Sequence, residues 1–495
     1  MHPDRDAVHT MRQQYPYIGG IVTRTSSIQG LDWAAALNEE GPRYLQVVRF
    51  MERAITDGRL RPGDRLPPQR QLATALGMDL TTVTRAYAEA RERKLLHANG
   101  AMGTFVSAPR FDTAQVVDLG MNIPPPPQGI DLTALLKRGV DQILTHTDSH
   151  LLMSYHPGGG SEADRAAGVA WLTPMLGRLD DARVVTCPGA QTALAALLLA
   201  LSDAGETLLT EPVLYPGMIS AATQLGRRLF AVESDADGML PDALEKAARE
   251  HQGRVVYLNP TLRNPMATTM SLRRREQIVA VARKHDLRII EDDPYWPLCD
   301  AAPPPLARLA PERTFYIATL SKALTPGLRT AYAVMPDAAS RSAFLGSLRA
   351  VTLMSTPVMT SLATQWIHDG TAARLLEGVR AEAGERQSMA TRILRPTSLA
   401  TATADARAAE ATPMEGIHLW LPLPGRWTAR SLTMTARIEG LAVTPSDAFS
   451  AGAPDVQAIR ISLGGVKDRM RLKQGLDRLK QVMDAADPAA DSVVI

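Results

Sequence analysis

The stretch TLSKALTPGLR (residues 319–329) places a single lysine, Lys322, among hydroxyl side chains and seven positions before Arg329. A partly buried lysine amine can condense with an aldehyde to form a Schiff base, whereas a lysine on the surface is a solvated charge. The planar guanidinium of Arg329 suits phosphate oxygens, and Thr319 and Ser321 add hydroxyl donors. Taken alone, such a lysine is most often a surface charge. Together with the motifs that follow, the stretch indicates a site in which Lys322 would hold an aldehyde and Arg329 a phosphate.

A second group of candidates ends an apolar run in LRIIEDDPYW (residues 287–296). Buried acids at the end of a strand are costly without a cationic partner. Asp292 is a candidate partner for a protonated pyridine nitrogen, which would keep a pyridoxal ring electron-withdrawing. Tyr295, three positions further, is placed to hydrogen-bond the phenolic oxygen of that ring. The ordinary alternative is an exposed acidic loop.

The phosphate end of such a molecule needs several donors together. The stretch PGAQTALAALL (residues 188–198) places Gly189, Ala190 and Gln191 at the start of a predicted helix. Free N–H groups and the helix dipole attract anions at that position. By itself, the same pattern is also an ordinary helix cap.

Three further candidates follow along the chain. Tyr215 in EPVLYPG offers a flat surface for the ring, although an aromatic side chain in a loop is more often packing. Asn264 in RNPMATTMS could bond the phenolic oxygen, although Asn-Pro usually marks a turn. Arg460 in IRISLGG extends from an apolar strand and needs a carboxylate partner, either from a ligand or from a structural salt bridge.

The elements that would position these residues alternate along the chain. Short β-rich runs, among them RVVTC, TLLT, RVVYL and TFYIATL, alternate with helical stretches over about 200 residues. This alternation predicts an α/β fold with a parallel sheet covered by helices on both faces, and chemistry at the carboxyl ends of the strands. From about residue 341, helices and the strands IHLWLPL and IRISL predict a smaller α+β lobe.

These motifs, in this order over residues 118–480, resemble fold-type I pyridoxal-phosphate enzymes of the class I/II aminotransferase group. The resemblance implies pyridoxal 5'-phosphate as the cofactor, with Lys322 forming the imine and Asp292 pairing with the ring nitrogen. It implies that Asn264 and Tyr295 hold the phenolic oxygen and that Arg460 binds a substrate carboxylate. The stretch SYHPGGGSEADR resembles the family segment whose tyrosine, here Tyr155, reaches the phosphate in the neighbouring subunit, which implies a homodimer with shared sites.

The amino-terminal region shows a different pattern. Between residues 43 and 94, eleven lysines and arginines face six acidic residues, a net charge of +5 in a chain of overall charge +2. Breakers separate a predicted helix at about 68–76, a GMD turn and a predicted helix at about 80–93. A buried stripe of Val83, Ala86, Tyr87 and Ala90 would leave one face of the second helix for DNA. The candidate DNA contacts are Arg65, Arg70, Thr81, Thr82, Thr84, Arg85 and, in a glycine-rich hairpin, Gly103.

The run GRLRPGDRLPPQRQLA, followed by TTV, KLL and GTFV, resembles the winged helix-turn-helix of GntR-type bacterial regulators. That resemblance implies binding to double-stranded promoter DNA. Leu80 and Thr84 stand where many relatives have arginines, and Met102 stands where the wing often has one. An ordinary helical hairpin is the alternative for the helix-turn-helix pattern alone.

Composition and boundaries complete the prediction. Two cysteines form no disulfide framework or zinc pattern, no metal site is predicted, and no apolar run is long enough to span a bilayer, so a cytoplasmic protein is expected. The expected parts are a mobile extension (1–30), a winged helix-turn-helix (31–106), a proline-rich linker (107–128) and an aminotransferase-like domain (129–490). The last divides into a large lobe (about 150–340) and a small lobe (about 341–490).

The combination resembles MocR-type regulators, in which an aminotransferase-like body senses pyridoxal phosphate or an amino compound and the heads bind DNA. The first hypothesis is therefore a transcription regulator with a cofactor-bearing sensor. The second is an active aminotransferase for an amino acid, since the groups needed for its chemistry are present. A cofactor-free interaction protein is the third.

Overall fold

The described residues form two compact units, one within residues 1–114 and the other within residues 115–495. The expected mobile extension, residues 1–30, lies outside the described residues. In the computed structural model the described residues are 31, 33, 37, 41–57, 59–61, 63–93, 95–98, 103–107, 116–156, 158–251, 253–398, 415–450 and 456–485.

The amino-terminal unit is built from three helices and a hairpin: α1 (Arg43–Thr56), α2 (Gln69–Leu76), α3 (Leu80–Glu92), β1 (Leu96–Ala98) and β2 (Thr104–Val106). Gly77 ends α2 in the left-handed conformation, with φ 60°, which a glycine adopts without strain. The predicted helix bounds agree within one residue. The buried positions of α3 are those predicted from its period: Val83, Ala86, Tyr87 and Ala90. β1 and β2 pair antiparallel, as the glycine-rich hairpin predicts.

The carboxyl-terminal unit alternates strands and helices. Its strands are β3 (Val117–Asp118), β4 (Val184–Cys187), β5 (Thr207–Thr210), β6 (Arg228–Ala231), β7 (Ser234–Asp235), β8 (Gly238–Met239), β9 (Val255–Leu258), β10 (Arg288–Asp292), β11 (Thr314–Thr319), β12 (Ala331–Val334), β13 (His418–Pro422), β14 (Leu441–Ala442), β15 (Thr444–Pro445) and β16 (Ala458–Ser462). Its helices are α4 (Leu132–His146), α5 (Ser149–Leu152), α6 (Glu162–Leu176), α7 (Ala190–Leu201), α8 (Pro216–Gln224), α9 (Pro241–Glu250), α10 (Leu272–Lys284), α11 (Leu306–Leu309), α12 (Leu320–Ala323), α13 (Ala338–Thr352), α14 (Pro357–His368), α15 (Thr371–Ser398), α16 (Ala429–Ile438) and α17 (Arg469–Asp484).

The large sheet has seven strands in the order β4-β12-β11-β10-β9-β5-β6. The prediction of a purely parallel sheet is wrong at one strand, since β12 runs antiparallel to both of its neighbours. A short apolar strand such as AYAV has the same pattern in either direction, so its direction depends on the turn that precedes it. The sheet is therefore mixed, and the carboxyl ends of its other strands share one edge.

Helices cover both faces of this sheet. Val255 and Ile290 belong to a core cluster with α7, α8 and α13, whereas their neighbours Val256 and Ile289 belong to a cluster with α9 and α10. Because successive side chains of a strand point to opposite faces, these clusters lie on opposite sides. The side chains of α7 are apolar on most of its surface because this helix is packed between the sheet and α13.

Two predicted boundaries need correction. Helices α13 and α14 pack with the large sheet and its helices, so the large lobe extends beyond residue 340. Their amphipathic pattern could not indicate which lobe they contact. Residues 116–128, assigned to the linker, lie in the carboxyl-terminal unit, where β3 pairs with β14 and Leu119 is fully buried. Backbone pairing and burial of Leu119 hold this stretch in the small lobe.

The small lobe has a three-stranded sheet in the order β13-β16-β15. Antiparallel pairing of β13 and β16 sets Trp420 opposite Arg460. Its apolar core includes Leu119, residues of α15, and both α16 and α17. This packing supports β16, the strand that carries Arg460.

We expect Leu197→Ala in α7 to lower the free energy of unfolding by about 2–5 kcal/mol, because it removes a fully buried side chain and leaves a cavity. Leu199→Ala is the matched control, since Leu199 lies on the same helix and is 36% exposed; its loss should be about 0.5 kcal/mol or less. Urea unfolding of both variants measures the difference. Equal losses would contradict the placement of α7.

Candidate functional site

A cavity opens at the edge of the large sheet where its parallel strands end. β10 ends at Asp292 and β11 at Thr319, and Asn259 directly follows β9. Chain order alone therefore brings these side chains to one place, as parallel α/β sheets do. The cavity is lined by Ala190, Tyr215, Asn259, Asn264, Asp292, Pro294, Tyr295, Thr319 and Lys322.

Lys322 lies on the short helix α12 and is partly buried. Its Nζ donates a hydrogen bond to the backbone carbonyl of Asn122. Burial, together with the positive charges of Arg460 and Arg329, lowers the pKa of Lys322 to about 8, while the charge of Asp292 opposes this shift. A substantial fraction of this amine is therefore neutral near physiological pH, which a nucleophilic amine requires.

The carboxyl group of Asp292 is buried and only partly satisfied. Oδ2 accepts a hydrogen bond of 2.9 Å from the hydroxyl of Tyr257, whereas Oδ1 has no partner in the described part of the chain. Burial raises the pKa of Asp292 to about 6, against the lowering effect of the Tyr257 hydrogen bond. A cation or an N–H donor at Oδ1 would therefore be strongly favoured.

Two supporting residues here were missed by the sequence analysis. Tyr257 holds Oδ2 of Asp292, and the side chain of Asn259 donates to the Asp292 backbone carbonyl. Asn259 Oδ1 also accepts a hydrogen bond of 2.8 Å from the backbone N–H of Asn264. The available signal was position, since Tyr257 lies in β9 next to its last residue and Asn259 directly follows the strand.

The predicted phosphate residues gather at the amino terminus of α7. Gly189 has φ 91°, and an added Cβ would lie 2.7 Å from Arg329 Nη2, so the guanidinium lies directly against this glycine. Thr319 Oγ1 and Ser321 Oγ are 3.1 Å apart. The Gln191 side chain donates a hydrogen bond of 2.8 Å to the Gly217 carbonyl, which directs this amide toward Gly217.

Arg460 is 7% exposed and lies beside Asn264. Nη1 donates to Asn264 Oδ1 at 2.9 Å, Nη2 donates to the carbonyl of Gly120, and the ring of Phe449 lies 5.0 Å from the guanidinium carbon. Within the described ranges it forms no ion pair, and its Nε has no hydrogen-bond partner. Among those residues, therefore, a structural salt bridge does not explain the burial of Arg460. A buried guanidinium in this state suits a carboxylate ligand.

Two tyrosines complete the cavity. Tyr295 accepts a hydrogen bond of 2.8 Å from Asn122 Nδ2, and burial raises the pKa of its hydroxyl. Tyr215 is the residue before α8, and its pKa is raised by burial and by the charge of Asp292. Tyr155, in contrast, is 84% exposed and does not line the cavity. Its assignment to a neighbouring subunit stays a prediction.

The predicted DNA-contact residues of α3 lie mostly on its exposed face. Thr81, Thr84 and Arg85 are exposed and Thr82 is half-buried. The Arg85 guanidinium lies 4.1 Å from the ring centroid of Tyr44, and Thr84 Oγ1 donates to Gln69 Oε1.

Arg65 and Gly103 lie together at the hairpin. A Cβ at Gly103 would be 2.9 Å from Arg65 Nε, and Gly103 has φ 114°. Arg70 is exposed on α2. The structure therefore leaves exposed basic side chains on the helices and beside the hairpin of this unit.

Comparison with known proteins identifies both units. Residues 114–479 match the family Aminotransferase class I and II, and residues 43–106 match Bacterial regulatory proteins, gntR family. None of the helices in the described ranges is long and apolar enough to cross a membrane.

Relatives match along nearly the whole chain. The HTH-type transcriptional regulator YdeF of Bacillus subtilis (strain 168) is 28% identical over 467 residues, which span 92% of this chain and 97% of that protein. The vitamin B6 salvage pathway transcriptional repressor PtsJ of Salmonella typhimurium is 26% identical over 441 residues, spanning 87% and 96% of the two chains. The crystal structure of LysN, an α-aminoadipate aminotransferase of Thermus thermophilus, has a TM-score of 0.68 and 23% identity over 82% of this chain and 100% of that chain, which shows the fold.

The cavity residues fit pyridoxal 5'-phosphate, the cofactor of this fold. Among the described residues Asp292 Oδ1 has no partner and could meet the ring nitrogen, and Lys322 is a partly neutral amine. The absence of a Cβ at Gly189 lets the Arg329 guanidinium lie against its backbone, where both could meet the phosphate. The chain belongs to the aminotransferase class I and II family, and with its gntR-type DNA-binding domain it has the composition of a MocR-type transcriptional regulator.

Proposed function

We propose that this protein is a DNA-binding regulator whose aminotransferase-like domain senses pyridoxal 5'-phosphate or a small amino compound. The observation that carries the proposal is Arg460, a buried guanidinium without an ion-pair partner in the described part of the chain, near Lys322 and in the same chain as a winged helix-turn-helix. The effector class that these two groups would recognise carries both an amine and a carboxylate.

Residues in and beside the cavity would have distinct tasks in holding the cofactor. Gly189 and Arg329 would hold its phosphate, and Asp292 would keep a proton on its ring nitrogen. Asn264 Oδ1 accepts its hydrogen bond from Arg460, so Nδ2 of the same side chain is available to the phenolic oxygen. When bound, the cofactor supplies an aldehyde for attachment to Lys322 and a ring that withdraws electrons from a bound amine.

A homodimer is part of this proposal. Tyr155 is exposed, as a residue that reaches into a neighbouring subunit must be in a single chain. A regulator of promoter DNA would also act in the cytoplasm. A dimer would present two winged helices to two half-sites, and a ligand with different affinity for two dimer arrangements would change DNA binding.

Catalytic transamination is the second candidate, favoured by the lowered pKa of Lys322 together with Arg460, which forms no ion pair with any described residue. The two candidates separate spectroscopically. Loss of the visible absorbance of the bound cofactor on adding an amino acid, followed by return with a 2-oxo acid, means turnover. Loss without return favours sensing.

Capture of the cofactor should depend on pH through Lys322. Because only the neutral amine attacks an aldehyde, the rate should rise with pH and level off above about 8, the pKa of Lys322. Arg460→Met removes a nearby positive charge, so the midpoint should move to higher pH. Stopped-flow absorbance on adding pyridoxal 5'-phosphate measures this rate. Lys322→Ala should give no visible band, and a wild-type midpoint near that of a solvent lysine would contradict the assignment.

Asp292→Asn should weaken cofactor binding by about tenfold to a hundredfold, because it removes the anion that pairs with the ring nitrogen while keeping the side-chain shape. Asp286→Asn is the matched control, since the Asp286 side chain is 93% exposed. Equilibrium titration with pyridoxal 5'-phosphate compares the variants. Equal affinities of wild type and Asp292→Asn would count against the role of Asp292.

Arg85→Ala should weaken binding to the DNA upstream of the protein's own gene by about tenfold and make the salt dependence less steep, while leaving cofactor absorbance intact. Arg93→Ala, which removes the same charge from a residue paired with Glu89 just after α3, is the control. Fluorescence anisotropy at several salt concentrations measures both quantities. Unchanged affinity in Arg85→Ala would discredit the assigned face of α3.

A further inference from the structure

Residues 118–123, here called the leading segment, follow the amino-terminal unit in sequence and contact both ligand-binding cations. The carbonyl oxygen of Gly120 accepts a hydrogen bond from Arg460 Nη2, and that of Asn122 accepts one from Lys322 Nζ. The Asn122 side chain also donates to Tyr295. The backbone of one short stretch therefore occupies donors that ligands would need.

Two glycines of the small lobe admit the leading segment. A Cβ added at Gly464 would lie 1.7 Å from the carbonyl oxygen of Ile123, and one at Gly465 would lie 2.4 Å from that of Asp118. Both obstructing atoms are backbone, so no side-chain movement would relieve the overlap. Neither glycine has a positive φ, so the close approach of the leading segment is what requires glycine here.

The remaining contacts of the leading segment divide into two kinds. Leu119 is fixed by backbone hydrogen bonds to Ala442 and Ser462, of 2.8 and 2.7 Å. The Gly120 carbonyl, in contrast, accepts hydrogen bonds from the side chains of Arg460 and of Thr444, the latter from Oγ1 at 3.2 Å. The Gly120 N–H donates within the segment, to Asp118 Oδ1 at 2.8 Å. The contacts that a ligand could compete for are therefore at Gly120 and Asn122.

We propose that the leading segment is displaced by ligands: the Gly120 carbonyl occupies Arg460 in place of an effector carboxylate oxygen, and release of the segment is the change that reaches the DNA-binding unit. This inference rests on the proposed function. It assigns to Gly464 and Gly465 the role of a seat for the segment.

The competition follows from the geometry of Arg460. A carboxylate that binds the guanidinium side-on would accept hydrogen bonds from Nε, which has no partner among the described residues, and from Nη2. At present Nη2 bonds Gly120 and lies 3.4 Å from Thr444 Oγ1. A charged acceptor forms the stronger hydrogen bond, so the Gly120 carbonyl loses its partner.

Attachment of the cofactor to Lys322 would also weaken the second contact, the hydrogen bond from Lys322 Nζ to the Asn122 carbonyl. Condensation of its neutral amine with the cofactor aldehyde forms one C=N bond and releases water, which takes the carbonyl oxygen and both amine hydrogens. The nitrogen then carries at most one hydrogen, after protonation, where the free amine offered two or three. Cofactor loading therefore reduces the donors available to Asn122, and an effector carboxylate then competes for Gly120.

Release has a direct covalent route to the DNA-binding unit. β2 ends at Val106 and β3 begins at Val117, so the leading segment follows the winged helix-turn-helix closely in sequence. A ligand that binds the released arrangement more tightly than the seated one would shift their populations.

Hydrogen exchange of the cofactor-loaded full chain tests the displacement, with acetate as the probe. Sodium acetate should speed exchange of the Val117 and Leu119 amides about tenfold relative to sodium chloride of the same ionic strength. In Arg460→Met, exchange should be fast already and insensitive to acetate. Unchanged exchange in the wild type with acetate would overturn the displacement.

DNA affinity tests the coupling. Gly464→Ala should unseat the segment without ligand, keep the visible absorbance, and change affinity for the upstream DNA by at least about fivefold. Gly384→Ala, at a helical glycine with open space around it, is the control and should match the wild type. If Gly464→Ala does not fold, Thr444→Val replaces it, since it removes one hydrogen bond to Gly120 and adds no overlap.

The outcomes separate this inference from the proposed function. A wild-type protein without affinity for the DNA would contradict the proposed function. A wild-type protein that binds DNA, with the same affinity in every variant, would contradict only the coupling. Faster exchange with acetate together with altered affinity in Gly464→Ala supports both steps.

Discussion

A buried carboxyl group with one unused oxygen is the constraint around which the larger unit is organised. Asp292 lies at the end of β10, where burial disfavours its charge and Tyr257 satisfies only Oδ2. Such a group is stable as an anion only with a positive partner. Lys322 provides part of that compensation, and a protonated ring nitrogen at Oδ1 would provide the rest.

The neighbouring acids show how the fold keeps Asp292 in place. Glu291 accepts backbone N–H groups of Leu306 and Ala307 at 2.8 and 2.7 Å, which fixes the start of α11. Burial raises the pKa of Glu291 to about 8, and the nearby Arg275 opposes that shift. Successive residues of β10 thus point to opposite faces of the sheet and have different roles. Glu291 anchors the start of α11 on one face, while Asp292 lines the cavity. A shift of one residue in the strand would exchange these roles.

Much of this arrangement could be predicted from the sequence, and the failures have physical causes. The runs RVVYL and TFYIATL are apolar and β-rich enough to predict strands, and parallel alternation brings Asp292 and Lys322 to one edge. The roles of Tyr257 and Asn122 were missed, because hydrogen-bond partners 35 and 200 positions apart depend on tertiary packing. The resemblance covered the residues that would touch the cofactor and not those that support them. The 107–128 boundary failed because four prolines suggest a linker whether or not the preceding residues join a sheet.

The reversed direction of β12 explains why Lys322 and Arg329 are only seven positions apart. β11 ends and β12 begins at the same edge, with Thr319 opposite Ala331, so the chain turns back at the cavity and not on the far side of the sheet. If the strand after β11 ran parallel to it, the connection would need a crossover of about a dozen or more residues. In the proposed function, one short loop would thus supply both Lys322 for the aldehyde and Arg329 for the phosphate. Insertions or deletions between Lys322 and Arg329 would change the distance between their side chains. Related proteins should therefore keep the same number of residues in this loop and differ in length at other surface loops.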